Sequence, residues 1–399
     1  MRELLTTVLL SLVHLTLLAQ LGPCGDPLGV NYNPVSPQAG FDCTYPPTLL
    51  SPTTVCELLD VAETSGIISW NGKLFTHNDS GGEPELYQID LTNGQNKQVV
   101  RLQGLTADSI GDWEALTQDE NYIYIGDFGN NNGTRKNLRV YRISKSNITE
   151  EDSVFVPFEV IPFFYPEQVS FESSQSHNFD CEGFIAKDDT LWLFTKNRGN
   201  LNTSIYAVPA KPSQEPYAAN LRSTYNSMGQ ITGASYDPQT GRVALIGYIN
   251  LARPFVYLLW RFPNNDFFSG YVRRFELPDG LSGQCEAICF PNENEIYISN
   301  ENLGVPARIS VFEDRYTQPS LTGIHESFLQ KEIAIRNGRI SLKANYDLAL
   351  RVIDLKGAEV LSGTISQADS LNIDGLKPGV YQLVWKEGEQ RFTKKFLHQ

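Results

Sequence analysis

The sequence predicts an all-β protein: a five-bladed (alternatively six-bladed) β-propeller followed by a small antiparallel β-sandwich. Three observations carry this expectation. One strand pattern recurs five times along the chain, and self-similarity at a fixed period marks a ring or a solenoid. The composition of 21 Phe, 18 Tyr and 31 Gly against 2 Met suits pleated, half-buried surfaces joined by tight turns. The last part of the chain reads as alternating strands separated by Gly turns.

The repeats begin with a small or polar residue, a Gly or Ala, and a short apolar strand: Ser65-Gly66-Ile67, Glu114-Ala115-Leu116, Glu182-Gly183-Phe184, Thr232-Gly233-Ala234 and Glu286-Ala287-Ile288. A second strand follows each, at Lys73–His77, Tyr122–Asp127, Leu191–Lys196, Val243–Tyr248 and Ile296–Asn300. Third and fourth strands are expected after them, except that the fifth repeat lacks a fourth. A strand at Val55–Val61 precedes the first repeat and supplies the missing one, which closes a ring and removes its edges. The repeats start at positions 65, 114, 182, 232 and 286. The long interval between the second and third holds insertions at Ser144–Pro157 and Gln168–Asp180, or part of a sixth blade.

In a closed ring the first strands line the axis, so Ser65, Glu114, Glu182, Thr232 and Glu286 point at one centre. The ends of the second strands, His77, Asp127, Lys196, Tyr248 and Asn300, form a neighbouring ring of candidate ligand-binding residues, joined by Asn78, Asp79, Asn197 and Glu301. Three glutamates in one restricted channel raise one another's pKa or call for a cation. Glu114, Glu182 and Glu286 are therefore candidate metal ligands, and Ca²⁺, which prefers several hard oxygens, is the implied cofactor. Two other readings stand beside this one. Polar residues at blade starts also serve as hydrogen-bonding glue between blades, and Glu114, Glu182, Glu286 and Asp127 could instead be catalytic acids and bases.

A net charge of −14 argues against nucleic-acid binding, which needs a cationic surface. Residues 1–21 read as a signal peptide, with Arg2 before an apolar stretch from Leu4 to Leu18 that is short for a membrane span; an uncleaved anchor is the alternative. No later segment is apolar enough for a transmembrane helix. Six cysteines in an exported chain imply disulfides by default, with the partners of Cys56, Cys181, Cys285 and Cys289 left open. No nucleophile elbow, zincin helix or P-loop is present.

Three resemblances follow from particular residues. Cys24 to Cys43, with Gly25-Asp26-Pro27 and Asn31-Tyr32-Asn33-Pro34 between them, resembles a short module of secreted Bacteroidetes proteins, here residues 22–47; the resemblance implies a Cys24–Cys43 bridge. His77-Asn78-Asp79-Ser80-Gly81, Asp112-Trp113-Glu114, Gly126-Asp127-Phe128-Gly129-Asn130-Asn131 and Asp180-Cys181-Glu182-Gly183 resemble a group of uncharacterised secreted bacterial β-propellers. That likeness covers roughly Glu63–Glu313, within an expected propeller at 54–318, and implies a fold without an activity. Residues 330–399, with Leu350-Arg351-Val352-Ile353-Asp354 and Leu376-Lys377-Pro378-Gly379-Val380-Tyr381, resemble the C-terminal sorting domain of the type IX secretion system. This implies the secretion machinery as partner and the cell surface or the medium as destination; an ordinary Ig-like module is the alternative. The expected function is a secreted binding or scaffold module with Ca²⁺ or a small ligand on its axis. The competing expectation is an extracellular glycoside or phosphoester hydrolase using axial carboxylates.

Overall fold

A computed structural model describes residues 24–26, 28–32, 43–79, 82–109, 111–251, 253–278 and 284–314, and further on 333–336, 338–342, 348–354, 358–366, 369–387 and 390–398. The expected signal peptide lies outside the described residues. The chain divides into two compact units, the first ending at Thr317 and the second beginning at Gln318.

Alternation with period two builds the first unit. Its innermost strands are Thr64–Trp70, Trp113–Gln118, Cys181–Lys187, Gln230–Asp237 and Cys285–Asn292. Each is the inner edge of an antiparallel sheet, and five such sheets form among the described residues. Every inner strand packs against the next, and Cys285–Asn292 packs against Thr64–Trp70. Successive side chains of a strand therefore enter different gaps. Ile67 and Leu74 meet Ala287 and Ile309 of the fifth sheet, whereas Ile68 and Phe75 meet Leu116 and Ile125 of the second. A separate apolar cluster fills each of the gaps between neighbouring sheets. With both faces buried, a run such as Tyr122-Ile123-Tyr124-Ile125 needs no polar side.

The early strand is Thr53–Glu57, shorter than the expected Val55–Val61, and it pairs antiparallel with Arg308–Glu313 as the outermost strand of the fifth sheet. The long interval makes no sheet of its own among the described residues. Its Ser153–Val156 adds in parallel to Asn96–Leu102 at the outer edge of the first sheet, and Tyr217–Ala218 adds to Phe158–Phe164 of the second.

One irregularity recurs in all five sheets. The pairing of inner and second strand slips between Thr64 and Ile67, Trp113 and Ala115, Cys181 and Gly183, Ile231 and Gly233, and Cys285 and Ala287. A β-bulge puts an extra residue on one strand and re-aims its side chain. The residues at these slips include Ser65, Glu114, Glu182, Thr232 and Glu286. The next residue must be small because the neighbouring sheet lies against it. A Cβ on Gly233 would sit 2.5 Å from the Glu286 carbonyl oxygen, and one on Gly66 would sit 2.5 Å from the Leu116 nitrogen.

Cys24 and Cys43 are bridged. Tyr45 beyond the bridge donates its hydroxyl to Asp26 at 2.7 Å, and the Arg273 guanidinium lies 4.9 Å from the Tyr45 ring centre. The other four cysteines correct the default expectation of disulfides. Cys56, Cys181, Cys285 and Cys289 are free, buried thiols; they pack as small apolar side chains, and burial pushes Cys285 up to about 12. In the second unit a three-stranded sheet (Ile333–Arg336, Arg339–Leu342, Leu371–Asn372) and a four-stranded sheet built on Leu348–Ile353 and Gly379–Glu387 share one core. Ile333, Ile340, Val352, Leu383 and Trp385 fill it.

Replacing Gly233 with Ala forces a methyl against backbone of the adjacent sheet. The expected loss is roughly 1–3 kcal/mol, the usual range for overpacking, read as a lower denaturant midpoint for the first unit. An unchanged midpoint would show that the sheets are not held this closely.

Candidate functional site

The five bulge residues divide by chemistry. Ser65 Oγ donates to the Glu114 carbonyl at 2.6 Å, and Thr232 Oγ1 donates to the Cys285 carbonyl at 2.6 Å. Both hydroxyls tie one sheet to the next, the expected glue. The three glutamates do something else. Each is more than nine-tenths buried, and their carboxylates sit at the N-terminal ends of the inner strands.

Glu114 is the hub. One of its oxygens lies within 4.8 Å of carboxylate oxygens from Asp79 and Asp112, and the same holds for Asp180 and Glu182. Burial is the main reason its carboxyl stands well above the usual range, followed by the charges of Glu182, Asp79, Asp112 and Asp180. Asp112 is raised by burial too, with Arg135 pulling it down and Asp180 pushing it up. Gly129 makes room here. A Cβ at that position would lie 2.1 Å from Glu114 Oε1 and 2.5 Å from Asp112 Oδ2, so any side chain would fill the space between the two carboxylates.

Positive charge reaches only part of this mouth. Lys196 is 2% exposed and forms an ion pair with Glu182. Burial alone would lower it, but Glu182 and Glu286 beside it keep it protonated. Its ammonium also lies 5.1 Å from the Tyr248 ring centre. Arg198 binds Asp180 at 2.7 Å and approaches Glu182 at 3.5 Å. Glu286 stands apart from both carboxylate triads. Neither of its oxygens accepts a hydrogen bond of ordinary geometry. Burial pushes it up to about 7, opposed by Lys196 and reinforced by Glu301 and Asp79. Glu301 rises to about 8 through burial and the charges of Asp79, Glu63 and Glu182.

The second ring of candidates separates in the same way. Lys196, Tyr248 and Asp79 face the acidic mouth. Asp127 does not: it pairs with Arg135 at 2.7 Å and Arg139 at 2.8 Å and accepts the Asp112 backbone N–H at 2.9 Å. It holds the Asp112 loop rather than facing the axis. Asn300 donates to the Glu301 and Pro306 carbonyls at 2.9 and 3.1 Å and accepts from Arg308 at 3.1 Å, fixing the loop that carries Glu301. His77 is fully buried, and burial lowers it to about 4. Its Nδ1 lies 2.6 Å from the Asn78 carbonyl and so carries the proton. Its Nε2 lies against Gly66.

Asp112 and Asp180 were absent from the sequence-predicted ligand set, yet they complete both triads. A signal for them exists: Asp112-Trp113-Glu114 and Asp180-Cys181-Glu182 place an aspartate two residues before the bulge glutamate, where the other repeats have Glu63, Gln230 and Gln284. That column is polar in every repeat.

Residues 336–399 match the family described as a secretion system C-terminal sorting domain. The chain is a type IX secretion cargo. It is exported to the cell surface or the extracellular space, and the secretion machinery is its partner. No curated protein matches the chain. Among solved structures it is similar to the PQQ-bound aldose sugar dehydrogenase of Streptomyces coelicolor, with 11% identity over 66% of this chain and 97% of that one and a TM-score of 0.40. It is also similar to the GH43_1 enzyme of Xanthomonas citri, with 9% identity, 68% and 93% coverage and a TM-score of 0.40. A third is a Bacteroides thetaiotaomicron protein of unknown function, with 11% identity, 65% and 76% coverage and a TM-score of 0.37. No activity is carried over from any of them.

Glu286 and Glu301 hold protons more tightly folded than unfolded, where a glutamate titrates near 4.5. Between that value and about 8 the folded state binds more protons, so stability falls as pH rises through this window and levels off above it. Calorimetric scans of chelator-treated protein should show the melting temperature of the first unit dropping from about pH 5 to about pH 8. Glu286→Gln should flatten the lower part of that slope. A wild-type profile that is flat or rises would contradict this.

Proposed function

We propose that this exported chain is a five-bladed propeller that works as a binding module, with a divalent cation, Ca²⁺ foremost, held by its acidic axial mouth. The observation that supports this reading most is Glu114: buried, shared by two carboxylate triads, with carboxylates as the charges that shift its acidity most. No side chain could enter the space beside Glu114 and Asp112 without meeting their oxygens, and we assign that space to the ion. Glu286, buried with two unsatisfied oxygens, adds a further acceptor on the same axis. Hard oxygens from several carboxylates are the donor set Ca²⁺ prefers, and Mg²⁺ tolerates irregular geometry less well. Asp79, Asp112, Glu114, Asp180 and Glu182 would hold the ion, and the ion would in turn present open coordination positions to a small extracellular ligand.

The hydrolase reading receives less support. An inverting pair keeps its carboxyls about 6.5–9.5 Å apart to admit a water and a retaining pair about 5–5.5 Å; oxygens of Glu114 and Glu182 lie within 4.8 Å of each other, which opposes the inverting arrangement alone. Glu182 is also committed to Lys196, which opposes a role as proton donor.

Titration calorimetry of chelator-stripped protein should show Ca²⁺ binding, tighter than Mg²⁺, and a higher melting temperature with Ca²⁺ present. Glu114→Gln should weaken it by at least about tenfold, the scale of losing a metal-site partner. No heat and no thermal shift would remove the cation. Turnover of aryl glycosides, phosphodiesters or nucleotides that is lost in Glu114→Gln, Glu182→Gln and Glu286→Gln would favour the hydrolase instead.

A further inference from the structure

The channel has a second end. Three of the five inner strands carry a carboxylate at the N-terminal end, Glu114, Glu182 and Glu286, and the C-terminal ends of all five with the following turns line a cavity of about 850 Å³. Gln118 at this end is four residues beyond Glu114, roughly 13 Å at the usual rise of about 3.3 Å per residue. The volume lies in the range of about 300–1,000 Å³ usual for small-molecule sites.

Three lining side chains, from three different sheets, are the aromatic rings of Trp70, Tyr236 and Phe290. Each has a cation over one face: Lys145 at 5.6 Å from the Trp70 ring centre, Lys187 at 5.7 Å from that of Tyr236, and Arg242 at 5.0 Å from that of Phe290. These contacts fix the rings as a rigid wall. The floor between them is apolar, formed by Ile68, Leu116 and Ala186.

The charges decide what kind of molecule suits this wall. Asp119, Glu120, Asp188 and Asp237 outnumber Lys145 and Lys187 in the lining, which disfavours an anion. A cation gains little either, because three of the four carboxylates are already used and the fourth, Glu120, is exposed to solvent. Asp119 accepts the Asn121 and Tyr122 backbone N–H groups at 2.8 Å, Asp237 accepts that of Gln239 at 3.0 Å, and Asp188 is paired with Lys187. Gln118 is different. Its amide nitrogen donates to the Ser69 carbonyl at 2.6 Å, but its buried Oε1 has no hydrogen-bond partner. That oxygen is closed to solvent, so a turn of the Gln118 amide is what would bring it to a hydroxyl or N–H in the cavity.

We propose that this far mouth is a second binding site, separate from the acidic one, for an uncharged hydroxyl-rich molecule: a mono- or oligosaccharide. The apolar face of a sugar ring covers an aromatic wall, and its hydroxyls supply the donor that Gln118 lacks and satisfy the amides around the rim. The site does not depend on the cation.

Trp70 reports on it directly, since the other four tryptophans are buried. The full chain, kept in chelator, is titrated with glucose, galactose, mannose, xylose and N-acetylglucosamine and their short oligomers. Binding is read by tryptophan emission and by saturation-transfer NMR. At least one sugar should bind and shift the emission, and Trp70→Ala should weaken that sugar by about tenfold or more. Tyr236→Leu, which keeps most of the apolar volume, should weaken it several-fold and serves if Trp70→Ala does not fold. Absence of binding across the whole panel overturns the proposal. So does binding that neither substitution changes, because the sugar would then sit elsewhere.

Discussion

The repeated bulge is the constraint on which the rest of the structure depends. A regular hairpin would alternate every side chain of the inner strand between the two flanking gaps, and none would be left for the axis. The extra residue at one point in each sheet breaks that alternation once. It frees a side chain for the channel and brings a Gly or Ala into the tightest approach between sheets. Closure and axial chemistry therefore come from the same device. Changing the small residue separates the sheets; changing a bulge glutamate alters the axis, while changing Ser65 or Thr232 also removes a tie between sheets.

Placed together, the three bulge glutamates create a problem that the fold solves only in part. The ion pair of Glu182 with Lys196 is nearly solvent-free on both sides, and Arg198 answers Asp180. Among the described residues Glu114 receives no such partner, and Glu286 feels the charge of Lys196 without an ion pair of its own. Burying a carboxylate without compensation is costly, and such a group either stays protonated or waits for a cation. Arg242 bridging Asp237 and Asp314 shows a buried charge answered by opposite charge; the mouth that holds Glu114 departs from that pattern. Departures of this kind concentrate at functional sites.

Much of this was legible in the sequence because a repeat reports the same structural fact several times over. The Glu/Ser/Thr-then-Gly/Ala pairs identified the inner strands, and the lone early strand announced closure. Side-chain roles were harder to read. Asp127 and Asn300 end their strands as Lys196 does, but nearby arginines capture both, and the partner Arg135 sits in a loop whose path no periodicity predicts. The grouping at the far mouth was invisible for a similar reason. Trp70, Tyr236 and Phe290 occupy unremarkable strand ends in three separate repeats, and only ring closure brings them together.

The ring also makes its two mouths chemically unlike. Inner strands that all run the same way along the channel gather their beginnings at one end and their finishes at the other. Beginnings carry the bulge and the polar column two residues before it, where backbone is held rigidly between sheets; that suits an ion, whose affinity depends on ligand positions fixed to fractions of an ångström. Finishes run into turns such as Asp119-Glu120-Asn121 and Asp237-Pro238-Gln239, where length and residue type vary without disturbing the sheets. Such turns can shape a pocket for a larger molecule. Sites this far apart with no shared side chain are expected to respond independently to substitution, so the proposed cation and the proposed organic ligand need not dictate one another.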